Sequence, residues 1–186
     1  RGSTFFGYQF PKKLKPNIYF FKINIKINPS LDKQQIRLKY SKFIPDSDKN
    51  FSKIKHCNRL SQAIIANELH KDKNITDLIV MKDDCIIETL SANLFFVREQ
   101  KKSYVFETPI ITDFGIDGVL KDKVSSHLVK SKFKVTKKNI KASDLKKYIS
   151  CFKVNSIKGI EFIDSIEKNK FNKPEILYNI LKRFIY

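Results

Sequence analysis

Apolar and polar positions alternate first over residues 17–27 (NIYFFKINIKI), which predict a strand, and again over 34–40 (QQIRLKY), which predict its pairing partner. Leu60, Ala63, Ile64, Asn67 and Glu68 then recur at helical spacing, ahead of a basic end at Lys71 to Lys73 that suits a helix C-terminus. Four apolar runs follow in quick succession, at 77–81, 85–88, 93–97 and 103–106, and read as strands, with Asp83-Asp84 as the hairpin turn between the first two. A glycine turn at 115–118 leads into a helical pattern over 119–130. Beyond it come a short strand at 133–135, a helix at 142–148, strands at 149–154 and 160–166 around an Asn155-Ser156 turn, and an amphipathic helix over 174–185 with Pro174 in its first turn. Strand clusters interrupted by helices predict a mixed α/β (α+β) architecture, with no internal repeat and no low-complexity linker.

Composition narrows the function classes. The formal net charge is +18, from 37 Lys+Arg against 19 Asp+Glu, a balance that raises nucleic-acid binding. The lysines are spread along the whole length rather than gathered in a patch, and they accompany heavy use of Asn, Ile, Phe and Tyr with no Trp and five Gly. A solvated lysine surface accounts for that pattern better, and no nucleic-acid partner is expected. Cys57, Cys85 and Cys151 are odd in number and widely separated, as expected of reduced cysteines in a cytoplasmic protein. With no CxxC pair and only three His, no metal site is expected. No apolar run approaches the roughly 18 residues of a membrane span.

Three features carry chemistry. Lys55 opens the stretch Lys55-His56-Cys57-Asn58-Arg59-Leu60 and is a candidate for a Schiff base. Glu88 is a carboxylate suited to a pyridinium nitrogen, followed at short range by Thr89, Ser91 and Asn93 as a polar wall. Gly118 permits a close backbone approach, and the amides of Val119 and Leu120 at the start of the new helix are donors for a phosphate dianion. Taken singly, each has an ordinary structural reading: a solvated lysine, a strand-end acid, a tight strand-to-helix turn. Their order and local wording together suit the parts of a pyridoxal phosphate site. His56 is adjacent to Lys55 on an extended segment, so the two side chains should point to opposite faces, and His56 is not expected in the pocket.

Together these segments resemble the fold-type IV pyridoxal phosphate enzymes, the class of branched-chain and D-amino acid aminotransferases and aminodeoxychorismate lyase. The resemblance runs through Arg1-Gly2-Ser3 to Gly7-Tyr8, residues 54–60, Ile87-Glu88 to Asn93-Leu94-Phe95, and Thr108-Pro109 to Gly118-Val119. Asn58-Arg59-Leu60 and Asn155-Ser156-Ile157-Lys158-Gly159-Ile160 are closer to the lyase than to the branched-chain enzymes. It implies that residues 1–52 are the remainder of a small domain, incomplete at its start, with the interdomain linker. Residues 53–186 would be the large cofactor-binding domain. It further implies pyridoxal 5′-phosphate as cofactor, Lys55 as its catalytic lysine in a partly desolvated, cation-rich pocket, and Glu88, Asn93, Gly118, Val119, Leu120, Asn155 and Ser156 around the cofactor. Arg1 and Tyr8 would face the substrate, and a homodimer is expected.

The implied reaction is elimination from 4-amino-4-deoxychorismate to 4-aminobenzoate and pyruvate. An amino acid aminotransferase of the same fold and a non-catalytic basic binding protein are the rivals. The chain departs from the family pattern where Phe6 replaces a second arginine before Gly7-Tyr8, where Lys146-Lys147-Tyr148-Ile149-Ser150 replaces an acidic stretch, and at Glu161-Phe162 in place of a Pro-Val pair.

Overall fold

The computed structural model describes residues 17–24, 35–46, 49–50, 52–53, 55–101 and 103–185. The chain divides into two units, Arg1–Gln34 and Gln35–Tyr186, and all the regular elements described here belong to the second. In the first unit, residues 17–24 form no strand, against expectation, and Ile18, Tyr19, Phe20, Phe21 and Ile23 are exposed. Strand β1 (Arg37–Tyr40) does form, but it pairs in parallel with β2 (Asp77–Lys82) on one side and β10 (Ser165–Ile166) on the other. With both edges of β1 occupied, no edge remains for the partner expected from 17–27. Arg1 and Tyr8 lie outside the described residues.

The second unit is built from two sheets. The six-stranded sheet runs β11 (Asn169–Lys170), β10, β1, β2, β3 (Cys85–Thr89) and β7 (Ile140–Lys141). The five-stranded sheet runs β6 (Lys134–Lys138), β5 (Ser103–Pro109), β4 (Asn93–Gln100), β8 (Ser150–Asn155) and β9 (Gly159–Phe162). β2 and β3 form the expected hairpin, with Asp83 and Asp84 at φ 48 and 60, the left-handed pair that matches the twist of a tight hairpin.

The apolar run of β4 is continuous because both its faces are buried. Leu94 and Phe96 join Leu38, Ile79 and Ile86 in a core shared by the two sheets. Phe95 and Val97 face the other way, with Val124 and Leu128 of α2 (Val119–Lys130) and Leu177 and Leu181 of α3 (Glu175–Leu181). On the far side of the six-stranded sheet, Leu78 and Val80 pack with Ile65 of α1 (Leu60–Leu69). The order of layers is helix, sheet, sheet, helices.

Two further expectations change. The helix over 142–148 is a 3-10 helix, Ala142–Lys147. The strand over 160–166 divides into β9 and β10, which belong to different sheets. At the C-terminus, α3 is followed by a 3-10 turn, Lys182–Phe184. Among the described residues no helix is long and apolar enough to cross a membrane, and no group of His, Cys, Asp and Glu is placed to hold a metal ion.

Candidate active site

A cleft of about 700 Å³ opens where the chain crosses from the six-stranded sheet to the five-stranded one. Lys55, Glu88, Asn93, Gly118, Val119, Leu120, Asn155 and Ser156 all line it, although they come from four separate stretches of chain. Lys53, Arg59, Lys121 and Asp117 line it as well. Lys55 stands on the irregular segment before α1 and is exposed, so the partial desolvation expected of it is not provided by the described residues. His56 lines a neighbouring pocket of about 310 Å³ that does not include Lys55, which is the divergence expected for adjacent residues on an extended segment.

Glu88 owes its orientation to a bulge. The β2–β3 register shifts between Val80 and Met81, so that Val80 opposes Glu88, Met81 opposes Ile86, and Ile87 is the extra residue. Cross-strand partners share a face. Ile86 therefore stays with the core shared by the sheets, while Glu88 takes the side of Val80, toward α1 and the cleft. Unbroken alternation would have turned Glu88 into the core with Ile86. Glu88 is 7% exposed, and burial pushes its pKa up from 4.5 to about 7, against the hydrogen bond from the Ile116 amide (3.0 Å) and the charges of Arg59 and Lys121. A buried carboxyl of this kind is poised to take a cationic or proton-bearing partner from a ligand.

Asn93 connects Glu88 to the turn before α2. Its Nδ2 donates to Ile116 O (2.7 Å) and, at 3.4 Å, to Glu88 Oε2, and its Oδ1 accepts from the Gly118 amide (3.1 Å). Gly115 reaches φ +98 in this turn, and a Cβ there would stand 3.0 Å from Ile87 Cγ2. No side chain caps α2 at Gly118, so the first amides of the helix keep their donor capacity and the positive end of the helix dipole faces the cleft.

Lys121, in the first turn of α2, is 1% exposed and ion-paired with Asp117, whose carboxyl this ammonium holds below the usual range in spite of its burial. The sequence alone does not single out Lys121, because one more lysine in a lysine-rich helix carries no signal. Its position three residues after Gly118, on the turn that enters the cleft, is the available clue. Lys53 escapes notice for the same reason. Its backbone is tied to Gly115 O (2.7 Å), and its carbonyl accepts from the Asp117 amide (3.3 Å), so it borders the same turn.

The family model for amino-transferase class IV matches residues 1–166. The chain belongs to that family. It is 29% identical over 122 residues to an aminodeoxychorismate lyase of Vibrio harveyi, a match covering 64% of this chain and 44% of the relative. The 4-amino-4-deoxychorismate lyase of Pseudomonas aeruginosa is similar in structure, with a TM-score of 0.74 at 17% identity, covering 84% of this chain and 57% of that one. So is the branched-chain aminotransferase of the thermophilic archaeon Thermoproteus uzoniensis with norvaline, at a TM-score of 0.74 and 18% identity over 86% of this chain and 53% of that one. The chain thus spans about half the length of these proteins, and its architecture is the fold-type IV arrangement the sequence resembles.

Proposed function

We propose that the chain belongs to a pyridoxal phosphate-dependent 4-amino-4-deoxychorismate lyase, with residues 53–186 as its cofactor-bearing part. The observation that carries this reading is the meeting of Lys55, buried Glu88 and the uncapped start of α2 in one cleft. The residues present fit the cofactor: a primary amine for its aldehyde, a desolvated carboxyl for its ring nitrogen and free amides for its phosphate. When bound, the cofactor supplies an electron sink for the bond pair left as a substrate proton departs.

The protein's own groups do the rest. Lys55 would hold the cofactor by its amine, and the same amine, when free, would be the base for the proton on the ring carbon that carries the substrate nitrogen. Loss of the enolpyruvyl group as pyruvate then leaves the ring aromatic as 4-aminobenzoate. Glu88 keeps a proton on the cofactor's ring nitrogen, and Asn93 holds Glu88 against the α2 turn. The Val119 and Leu120 amides bind the phosphate, and Asn155 and Ser156 form the opposite wall. Arg1 and Tyr8 are assigned to the substrate, and the working unit is a cytoplasmic homodimer.

The lyase is preferred to an aminotransferase because of the Vibrio harveyi relative and the Asn58-Arg59-Leu60 wording. The comparable likeness to a branched-chain aminotransferase keeps transamination as the second reading. Borohydride reduction of the cofactor-loaded protein followed by peptide mapping should label Lys55, and the same preparation should form 4-aminobenzoate from 4-amino-4-deoxychorismate. A label on another lysine overturns the site. A Lys55 label with a pyridoxamine form on adding an amino acid, and no 4-aminobenzoate, favours the aminotransferase.

A further inference from the structure

Asp77 and Lys153 are oppositely charged, almost wholly buried, and outside every role assigned above. Asp77 opens β2 in the six-stranded sheet and is 2% exposed; Lys153 lies within β8 of the five-stranded sheet and is 4% exposed. Lys153 Nζ donates to Asp77 Oδ2 at 3.2 Å and stands 3.2 Å from Glu161 Oε2 on β9. The ion pair therefore bridges the two sheets. Taking two charges out of water is costly, and a well-packed apolar pair commonly joins two layers at least as firmly, so stability alone is a weak account of it.

Its surroundings give a better one. Ser91 Oγ donates to the same Asp77 Oδ2 at 2.6 Å. Ser91 lies in the 89–92 turn, where the chain leaves β3 for β4 and passes from one sheet to the other along the cleft. The Ser91 carbonyl accepts from Asn155 Nδ2 at 2.7 Å, and Asn155 Oδ1 in turn accepts from the amides of Ile157 (2.7 Å) and Lys158 (3.2 Å). A continuous polar chain thus runs from the buried ion pair, through Ser91, to the 155–158 turn. Ser91, Asn155, Ser156 and Ile157 all line the cleft.

We propose that Asp77, Lys153 and Ser91 are positioning residues that fix the 155–158 turn against the 89–92 turn and so set the wall that the bound cofactor meets. The buried ammonium holds the Asp77 carboxylate in place, and the carboxylate fixes Ser91 by a charge-assisted bond, stronger than a bond between neutral groups. The rigid Ser91 carbonyl then orients the Asn155 amide. The identity of the ligand rests on the proposed function; the tie between the two turns does not.

Ser91→Ala removes the Oγ–Asp77 bond that anchors the tie and leaves the ion pair and the residue-91 carbonyl in place, whereas Ser91→Thr keeps a hydroxyl. In the 186-residue chain, amide hydrogen exchange at Ile157 and Lys158 should be about tenfold faster in Ser91→Ala, the effect of losing one hydrogen bond to a charged group, and should return toward wild type in Ser91→Thr. The amides of β4 should be unchanged. Titration with pyridoxal phosphate should show weaker binding by Ser91→Ala, restored by Ser91→Thr. Unchanged exchange at Ile157 and Lys158 overturns the tie, and faster exchange with wild-type cofactor affinity overturns its positioning role. If the wild-type chain itself binds no pyridoxal phosphate, the proposed function fails on that arm, and the exchange comparison still decides the tie.

Discussion

Asn93 Oδ1 accepts the Gly118 amide at 3.1 Å, and a Cβ on residue 118 would stand 2.3 Å from that same oxygen. The backbone at Gly118 has φ −73, which any residue adopts, so glycine is required there by the approach of Asn93 and not by conformation. Gly118→Ala should push Asn93 away, releasing both the start of α2 and its contact with Glu88. We expect a loss of about 1–3 kcal/mol from overpacking, read as a lower denaturant midpoint, together with weaker cofactor binding. An alanine variant with wild-type stability and affinity would show that the turn has room to spare.

The raised pKa of Glu88 makes a pH prediction with a definite sign. Burial lifts the carboxyl from 4.5 to about 7, so the folded chain holds this proton more tightly than the unfolded one. The stabilising contribution is fully present below about pH 4.5 and is lost as pH rises through about 7, a change of roughly 3 kcal/mol over that window. Glu88→Gln carries no titrating group. The stability of the cofactor-free wild type relative to this variant should therefore fall between those pH values, as measured by urea denaturation in a pH series. A constant difference would mean that Glu88 is solvated in solution. With cofactor loaded, the same variant should bind but turn over slowly, because an amide does not keep the ring nitrogen protonated.

Much of this arrangement was legible in the sequence, for identifiable reasons. Strands β2 to β5 and helix α2 have strong periodicity bounded by turn residues, and the cleft-lining stretches carry family wording that spacing alone does not supply. The bulge at Ile87 could not be read, since it depends on the register of two strands and not on either one. Alternation marks β1 but not its neighbours, β2 and β10, because it reports a buried face and says nothing of which edge pairs. The 160–166 run reads as one strand in the sequence because its division between two sheets turns on Asp164, whose Oδ2 accepts the Ile36 amide at 2.7 Å from far away in sequence. The Asp77–Lys153 pair was invisible for a related reason: burial of a lysine is decided by the layer laid over it.

Tyr148 offers a control that does not line the cleft. Its hydroxyl donates to Glu107 Oε2 at 2.7 Å, and Arg98 Nε donates to the other carboxylate oxygen at 2.9 Å. Tyr148→Phe removes one charge-assisted bond from a buried carboxylate while keeping the ring packed on Phe96. The expected cost is about 1.5–3 kcal/mol in unfolding free energy, with cofactor affinity unchanged. Loss of cofactor binding at unchanged stability would contradict the separation of this cluster from the site.

Lys121 and Asp117 should respond unequally to the loss of their partners. The ammonium is 1% exposed, whereas Asp117 is 29% exposed and has Lys137 at 4.0 Å as a second cation. Asp117→Asn leaves a buried charge without its counter-ion, a situation that costs about 3–5 kcal/mol in other buried pairs. Lys121→Met removes the charge, keeps most of the side-chain volume and leaves Asp117 near Lys137 and solvent, so it should cost much less, about 1 kcal/mol or under. Denaturant midpoints of the two variants give the comparison, and equal losses would show that the ammonium reaches water in solution. The variants should also separate on ligand binding. Lys121 lines the cleft at the α2 start, so Lys121→Met, though the milder change in stability, should weaken the binding of pyridoxal phosphate more than that of pyridoxal, which lacks the phosphate on which this end of the helix is proposed to act.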